Sequence, residues 1–428
     1  MSKKVETFSH HLRGKVGYLL RLEENLKTIL GSPEGKPEAL CDVFVIEASY
    51  ADFAGAFAAS LLGEFGAEVV KIEPPGGDPA RKITPWGVNV KGYGIPYLIE
   101  SRNKQIVELN LKSREGLEKF KKLAAKADVL IETYGPGVFD SLGIGYRQLS
   151  EFNPGLIYVA ISPYGHYSSR AKEFSKMPST DLTAQAESGF PSLIGDPAEP
   201  EPYNYPLKAG IWAAWYMSGA LAAAGALIAL YYKRTTGEGQ MVDIATHDAL
   251  PVCNGWPIVS AFTSGKPRDR LGMHDWLFPY PYGYFKCKDG YVTIVTMRNE
   301  DFRALLKILG RWDLEDDWKY VTDRLTDDLD RINVLARELE KELQKYTRDE
   351  LAKKAWEWNI KSARDRLRAR GFPFVIKGPT FKEVLEENHW KQRGTFMKVN
   401  INGKEVIVPA PFSRCTETPP RLKWTLRE

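Results

Sequence analysis

The strongest constraint on the fold is a series of short apolar runs separated by segments with helical spacing. The first run, Val43 to Ile46, is continuously apolar, as a parallel strand buried on both faces must be. A segment rich in Ala, Gly and Leu follows, and Ala67 to Glu73 then completes a strand–helix–strand unit. Further strands are predicted at Ile106 to Leu109, Val129 to Ile131 and Leu156 to Ser162, with a helix from Ser113 to Ala125. This alternation predicts an α/β fold with an open, mostly parallel sheet.

The composition and the hydrophobic pattern change along the chain and predict four segments. Residues 1–40 form a charged N-terminal extension, and residues 41–255 form a large Rossmann-like domain. Residues 256–380 include a predicted hairpin with an Asp-Gly turn and several charged helices, which indicates a smaller α+β domain with linkers. Residues 381–428 are predicted to return to the large domain.

The longest uncharged segment, Ala209 to Tyr232, is long enough to cross a membrane. It is rich in Ala and Gly, and its aromatic residues Trp212, Trp215 and Tyr216 lie inside it rather than at its edges. Because an isolated apolar helix is typical of a protein core, we interpret the segment as a buried helix. We therefore predict a protein without membrane association.

Charge and cysteine content exclude several classes of protein. The 59 basic and 55 acidic residues nearly cancel, to a net charge of +4, so nucleic-acid binding is not predicted. The four cysteines include no Cys-x-x-Cys pair, which argues against a zinc site or a disulfide framework. The polar N-terminus lacks the apolar stretch of a signal peptide. We expect reduced thiols in a cytoplasmic protein without a metal.

The turn after the first predicted strand, Ser49 to Gly55, does not carry Gly-x-Gly-x-x-Gly. A dinucleotide site needs glycines there, because the backbone must approach the phosphates closely. NAD binding is therefore not predicted.

The most specific string in the chain runs from Gly225 to Ala249. In it, a predicted helix ends in Lys233 and Arg234, whose charges suit the negative end of the helix dipole, and the turn Thr236 to Gln240 leads into a strand. This turn resembles the Thr-Gly-x-Gly-Gln turn of the family III CoA-transferases, the family of formyl-CoA transferase and carnitine CoA-transferase. Further segments fall in the family's order: Gly66 to Glu73, Asn103 to Lys112, Ala127 to Gly137, Leu149 to Pro154, Tyr158 to Gly165, and Asp181 with Gln185.

The resemblance implies an enzyme that uses a CoA thioester as substrate, binds no cofactor tightly and forms an interlocked dimer. In such enzymes an aspartate attacks the donor thioester to give a mixed anhydride. The CoA thiolate then returns to form an aspartyl-CoA thioester, from which the acceptor acid takes the CoA. The resemblance places CoA-binding positions at Ala51, Asp52, Phe53, Arg81, Leu109, Leu111, Lys112, Thr133, Tyr134 and Gly135.

The chain departs from the family at the nucleophile. The family's aspartate lies ten residues before a helix glycine that corresponds to Gly225, so Trp215 holds its position here. An indole cannot form an anhydride, and it would fill the space that a thioester needs. Asp181 is the obvious substitute. It matches a separate acidic position of the family, however, and we interpret it as a carboxylate at a helix N-terminus or in the site wall. The racemase branch has a histidine beside that acid, where this chain has Thr180.

The phosphate-binding arginines common in the family are also missing, because Pro74 and Ser141 stand at their positions. The side chains that could compensate are Arg81, Lys104, Lys112 and Lys176. The aromatic stretch Arg270 to Tyr282 could line an acyl pocket or equally pack a domain interface.

Two histidines, His247 and His274, are considered as possible site residues. We expect His247 to cap or pack beside Asp248, and His274 is a weak candidate for substrate contact.

We therefore predict a subunit of a hetero-oligomeric CoA-transferase that lacks the nucleophile and pairs with a paralogous subunit that carries the aspartate. The donor would be a dicarboxylic acyl-CoA such as succinyl-CoA. Benzylsuccinate CoA-transferase of anaerobic toluene degradation is a system of this kind that the chain resembles, and an aromatic content of 12% fits an aryl-substituted succinic acid as acceptor. Two alternatives stay open. One is an active homodimer that uses another carboxylate, such as Asp181, and the other is a CoA-binding or scaffold protein without transfer activity.

Overall fold

The structure of the chain is a computed structural model. It describes residues 31–173, 179–196, 204–266, 270, 272, 279–318, 321–325, 328–364, 371, 373–401 and 403–423. Lys176, His274 and most of the stretch from Arg270 to Tyr282 lie outside the described residues.

The described residues divide into two compact units. The larger unit holds the described residues up to Ser188, the segment Ile211–Asn254 and the described residues from His389 onward. The smaller unit holds the described residues of Gly189–Gly210 and of Gly255–Asn388.

The described strands are β1 (Phe44–Ala48), β2 (Glu68–Glu73), β3 (Asn89–Val90), β4 (Tyr93–Gly94), β5 (Lys104–Glu108), β6 (Val129–Glu132), β7 (Ile157–Ser162), β8 (Met241–Ala245), β9 (Tyr282–Cys287), β10 (Gly290–Val295), β11 (Phe374–Lys377), β12 (Phe396–Ile401) and β13 (Lys404–Pro409). The described α-helices are α1 (Phe53–Glu64), α2 (Ile95–Glu100), α3 (Arg114–Ala124), α4 (Val138–Ser141), α5 (Tyr146–Ser150), α6 (Ser169–Glu173), α7 (Asp181–Glu187), α8 (Ala213–Thr236), α9 (Thr246–Cys253), α10 (Trp256–Ser264), α11 (Asn299–Leu309), α12 (Val321–Arg324), α13 (Leu329–Leu343), α14 (Arg348–Arg364), α15 (Phe381–Glu386) and α16 (Asn388–Arg393).

The larger unit is built on a six-stranded parallel sheet with the order β5-β2-β1-β6-β7-β8. Strands β6 and β7 are buried along their whole length and β1 along nearly all of it, as their continuous apolar runs predicted. The fold prediction of an α/β protein with an open, Rossmann-like parallel sheet and an additional α+β part is confirmed.

The strand order reverses direction between β1 and β6. After β1 the chain adds β2 and β5 on one side, and it then crosses over to add β6, β7 and β8 on the other. The loops at the carboxyl ends of β1 and β6 therefore lead away from each other. In open α/β sheets, ligands bind in the crevice at this switch point.

Helix α8 is the uncharged segment of the sequence analysis. Trp215, Ala222, Ala226 and Ala229 on its inner face join the same core as Val45 of β1. Within the described residues it is the one helix long and apolar enough to cross a membrane, and half of its most apolar stretch is buried in the protein. The absence of membrane association stays a prediction.

In the Thr-Gly-x-Gly-Gln turn, the backbone requires glycine at both glycine positions, for a different reason at each. Gly237 ends α8 in the left-handed conformation, with φ of 82°, and its N–H donates to the carbonyl of Lys233. At Gly239 the backbone passes so close to the carbonyl oxygen of Leu156 that an added Cβ would lie 2.1 Å from it. The turn thus sets β8 directly beside β7.

The smaller unit packs helices against an antiparallel sheet. Its strand order is β11-β10-β9, and the predicted hairpin pairs Cys287 with Gly290 next to the Asp289 turn. A core that includes Phe285, Phe302 and Leu339 holds this unit together. In the larger unit, the hairpin of β12 and β13 contributes Ile401 to the core formed with α1 and β1.

Candidate functional site

A pocket lies at the switch point of the larger unit, where the loops after β1, β6, β7 and β8 converge. Its described lining residues are Tyr50, Ala51, Asp52, Thr133, Tyr134, Gly135, Pro136, Ile161, Ser162, Pro163, Tyr164, Gly165, Ala171, Ser179, Trp215 and Thr246. Five of the ten predicted CoA-binding positions, together with Trp215, therefore meet in one cavity. We call this cavity the switch-point pocket.

The loop after β1 is fixed by three hydrogen bonds. The Tyr50 N–H donates to Thr133 Oγ1 at 3.1 Å and so ties this loop to the loop after β6. Ala51 has a left-handed backbone with φ of 53°, and its N–H donates to Asp78 Oδ1 at 2.9 Å. Asp52 then caps α1, since its Oδ1 accepts from the N–H of Ala54 at 2.7 Å.

A cluster of buried charges lies beneath this loop. Lys71 Nζ lies 2.8 Å from Glu47 Oε1 and 2.9 Å from Asp78 Oδ2, and Lys104 Nζ lies 2.6 Å from Glu47 Oε2. Glu73 completes the cluster by accepting from the N–H of Asp78 at 2.9 Å. Because the carboxylates face paired cations, the cluster is a compensated ionic support for the loop rather than a set of isolated buried charges.

The protonation of this cluster follows from burial and pairing. Burial alone would raise the pKa of Glu47, but Lys104 and Lys71 outweigh it and lower that pKa to about 2. Burial lowers the pKa of Lys104 to about 8, against the opposing pull of Glu47. Burial also raises the pKa of the Asp52 carboxyl to about 6, although the N–H groups of Gly55 and Ala54 stabilise its charged form.

Aromatic rings form the inner wall of the pocket. Trp215 is 9% exposed, and its ring packs edge-on against Phe53 at a centroid distance of 5.7 Å. Phe53 in turn stacks on Trp212 at 4.8 Å. The indole of Trp215 is thus held in a fixed aromatic cluster in the first turn of α8, and it faces the pocket rather than solvent.

Asp181 serves as the cap of α8. Its Oδ1 accepts from the backbone N–H groups of Ala214 at 2.8 Å and Trp215 at 3.1 Å, which are two of the N–H groups that a helix start leaves unpaired. Its Oδ2 accepts from Gln185 Nε2 at 2.6 Å. The carboxylate is buried and does not belong to the described pocket lining. It therefore lies at a helix N-terminus, the structural role given to it from the sequence.

The remaining buried carboxylate beside the pocket is Glu132, at the end of β6. It accepts from the N–H of Tyr134 at 2.7 Å and from the hydroxyl of Tyr158 at 3.3 Å. Burial raises the pKa of Glu132 to about 8, so the neutral acid dominates at pH 7. A buried neutral carboxyl group is a poor nucleophile toward a thioester.

The other predicted CoA-binding positions are not among the described lining residues of the pocket. Phe53, Leu109 and Leu111 are core residues, and Lys112 is exposed next to α3. Arg81 Nε lies 2.7 Å from Glu73 Oε2, and its guanidinium lies over the ring of Tyr97. A CoA-binding role for these side chains stays a prediction.

The proposal that Lys104 compensates for the missing arginines is wrong. Its ammonium group is fully buried, pairs with Glu47 and donates to the carbonyl of Ala56 at 2.7 Å. It cannot reach a phosphate at the surface.

His247 differs in detail from the expectation. Its ring stacks on Tyr164 at 4.2 Å and its Nδ1 lies 2.7 Å from the carbonyl oxygen of Pro163, so it packs beneath the loop after β7 rather than beside Asp248.

The sequence interpretation missed the pocket residues Ser162, Tyr164 and Thr246 and the support residues Glu47 and Lys71. The sequence does contain a signal that could have identified Glu47 and Lys71. Charged side chains within the otherwise apolar strands β1 and β2 are predicted to be buried, and they therefore need partners.

Comparisons with known proteins agree with this geometry. The family model described as CoA-transferase family III matches residues 40–426. The alpha subunit of succinyl-CoA–L-malate CoA-transferase from Chloroflexus aurantiacus is 32% identical over 86% of this chain and 81% of that protein. Subunit BbsE of succinyl-CoA:(R)-benzylsuccinate CoA-transferase from Thauera aromatica is 32% identical over 62% of this chain and 64% of that protein.

A solved structure shares the fold. The crystal structure of a CAIB/BAIF family protein from Brucella suis matches with a TM-score of 0.73 and 25% identity, covering 89% of this chain and 93% of that chain.

Proposed function

Because the chain belongs to CoA-transferase family III, we propose that it is a subunit of a hetero-oligomeric CoA-transferase and that it lacks the nucleophilic carboxylate. One observation carries the proposal. At the start of α8, where the family resemblance places the nucleophile, Trp215 lines the switch-point pocket and is locked against Phe53.

The state of the nearby carboxylates supports this proposal. Asp181 caps α8, Glu132 is buried beneath Tyr134, and Asp78 pairs with Lys71. Asp52 is the one carboxylate of the described pocket lining, and it is engaged as the cap of α1. Each acid thus has a structural partner that a covalent anhydride would displace.

The names of the relatives support a partner chain. Both relatives described above are named as subunits of transferases. In this chain, α8 leaves an apolar stripe uncovered, with Ile228 71% and Tyr231 76% exposed, and Val252 of α9 is 70% exposed. Exposed apolar side chains on two adjoining helices are typical of a protein–protein interface. We propose that a paralogous family III subunit, which carries the aspartate, covers this stripe.

The substrates are proposed from the same sources. The two relatives are named for succinyl-CoA, so a succinyl-CoA-like thioester is the proposed donor. The rings of Tyr50 and Tyr134, which both line the pocket, stack with a centroid distance of 5.8 Å. Aromatic walls of this kind favour an acceptor acid that carries an aryl group. The proposed acceptor is therefore an aryl-substituted succinic acid.

Reconstitution tests the proposal. We expect this chain, co-expressed with a family III paralogue that has aspartate at the position of Trp215, to co-purify with it and to transfer CoA from succinyl-CoA. Each chain purified alone should show no transfer above the uncatalysed rate. Transfer by this chain alone would favour the homodimer alternative, and an inactive pair would favour the scaffold alternative.

Substitutions at Asp181 separate a helix cap from a nucleophile. We expect Asp181→Ala to lower the free energy of unfolding by about 1–2 kcal/mol, because two N–H groups of α8 lose their acceptor. Asp181→Asn keeps an acceptor oxygen, so its loss should be smaller, and CoA transfer by the assembled enzyme should stay within about threefold of wild type. Urea denaturation and the transfer assay measure the two effects. A nucleophilic Asp181 would instead make the asparagine variant inactive while it remained folded.

A further inference from the structure

Ala51 adopts a backbone conformation that its side chain disfavours. Its φ of 53° lies in the left-handed region, where an L-residue other than glycine, asparagine or aspartate is uncommon. Such a residue persists only where its surroundings hold it, and strained residues of this kind concentrate at ligand sites. Ala51 lies in the lining of the switch-point pocket, so the strain occurs where a ligand would bind.

Asp78 is the group that holds Ala51. Its Oδ1 accepts from the N–H of Ala51 at 2.9 Å and from the N–H of Ala80 at 2.9 Å. Its Oδ2 accepts from Lys71 Nζ at 2.9 Å, and its own N–H donates to Glu73 Oε2 at 2.9 Å. Asp78 is buried and is absent from the described pocket lining. It therefore does not line the pocket itself, and of its hydrogen-bond partners described above it is Ala51 that belongs to the lining.

The conformation of Ala51 sets the positions of its neighbours. On one side, the Tyr50 N–H reaches Thr133 Oγ1 at 3.1 Å, and the Tyr50 ring stacks on Tyr134. On the other side, Asp52 turns into the cap of α1. If the backbone of Ala51 were extended, the chain would run in a different direction, and both Tyr50 and Asp52 would be displaced from their positions in the pocket lining.

We infer that Asp78 is a positioning residue: by holding Ala51 in the left-handed conformation, it shapes the loop Tyr50–Asp52 to receive the CoA thioester. The inference rests on the proposed function, in which the switch-point pocket takes that thioester. The charge cluster around Lys71 then has two roles. It stabilises the fold, and it holds the strained loop Tyr50–Asp52 in place.

A rescue experiment separates positioning from simple structural support. Asp78→Ala removes the acceptor, while Lys71 keeps Glu47 as its partner. Because the loop then loses its preorganised shape, we expect the Kd for CoA to rise about tenfold in the full chain co-purified with its partner. Adding Ala51→Gly should bring the Kd back to within about threefold of wild type, because glycine adopts the left-handed conformation without strain.

A second readout does not depend on CoA. Amide hydrogen exchange of a peptide spanning Tyr50 to Ala54 should speed up in Asp78→Ala and slow again in the double variant. The inference is overturned if Asp78→Ala binds CoA like wild type, or if Ala51→Gly restores neither binding nor protection. If Asp78→Ala does not fold, Ala51→Val is measured instead, because it leaves the charge cluster intact. A β-branched residue disfavours the left-handed region, so the Kd for CoA should rise and exchange should speed up, and wild-type values would overturn the inference. A wild-type complex that binds no CoA contradicts the proposed function, and the exchange data then still decide whether Asp78 holds the loop.

Discussion

In the assembled transferase, replacing the partner's aspartate at the position of Trp215 by alanine is expected to lower the rate of CoA transfer by about 10³-fold or more. The covalent route through an aspartyl-CoA thioester is lost with that carboxylate. Trp215→Phe in this chain should change the rate by less than about threefold, because the aromatic wall against Phe53 is kept and no reacting atom is removed. Steady-state assays of the two variant complexes against wild type measure this asymmetry.

The comparison needs evidence that both variants assemble. Size-exclusion chromatography should show complexes of wild-type size, and the Trp215→Phe complex should unfold within a few degrees of wild type. A rate loss on Trp215→Phe as large as that of the aspartate variant would contradict the account, since it would give the indole a role in the reaction itself.

The second large effect is on stability. Lys71→Met is expected to lower the free energy of unfolding by about 3–5 kcal/mol, because it removes the cation that pairs with the buried Asp78 and leaves Glu47 with Lys104 alone. Lys71 lies between Glu47 and Asp78, at 2.8 and 2.9 Å, and all three side chains are almost completely buried. Urea denaturation of the full chain, with the unfolding slope compared between variants, measures the loss.

An exposed lysine provides the matched control for Lys71. Lys119 pairs with Glu115 at 2.7 Å on the surface of α3, where both side chains are mostly exposed. Lys119→Met should therefore cost less than about 1 kcal/mol. If Lys71→Met cost no more than this control, the buried cluster would not be a support for the loop.

The strands of the sheet were predictable because the sequence patterns that mark them are local. Continuous apolar runs marked β1, β6 and β7. The helix predicted from Ser113 to Ala125 corresponds to α3, which Ser113 caps, because its Oγ accepts from the N–H of Gly116 at 3.0 Å. The resemblance also marked Ala51 and Thr133, and the structure brings both into the lining of the switch-point pocket, while their role in CoA binding stays a prediction.

The charge cluster was not predictable in the same way. Glu47 and Lys71 face each other because the register of β1 and β2 pairs these two residues. The register between two strands cannot be derived from the sequence of either strand alone. The same reason explains the error at Lys104. The sequence offered Lys104 as a cation that could compensate for the missing arginines, but β5 lies beside β2 and the Lys104 ammonium group pairs with the buried Glu47.

The position of Asp181 shows a similar limit. Its place at the start of α7 marked it as a helix-terminal acid, yet the helix that it caps is α8, which begins more than thirty residues later in the chain. Only the packing of α7 beside the start of α8 brings the carboxylate to those N–H groups.

The central claim is that the covalent intermediate forms on the partner and not on this chain, and intact-protein mass spectrometry tests it most directly. The reconstituted complex is incubated with succinyl-CoA and then treated with hydroxylamine, which converts an enzyme-bound thioester or anhydride into a hydroxamate. We expect that the partner chain alone changes mass and that peptide mapping places the change on its aspartate. A hydroxamate on any acid of this chain, Asp52 and Asp181 included, would contradict it.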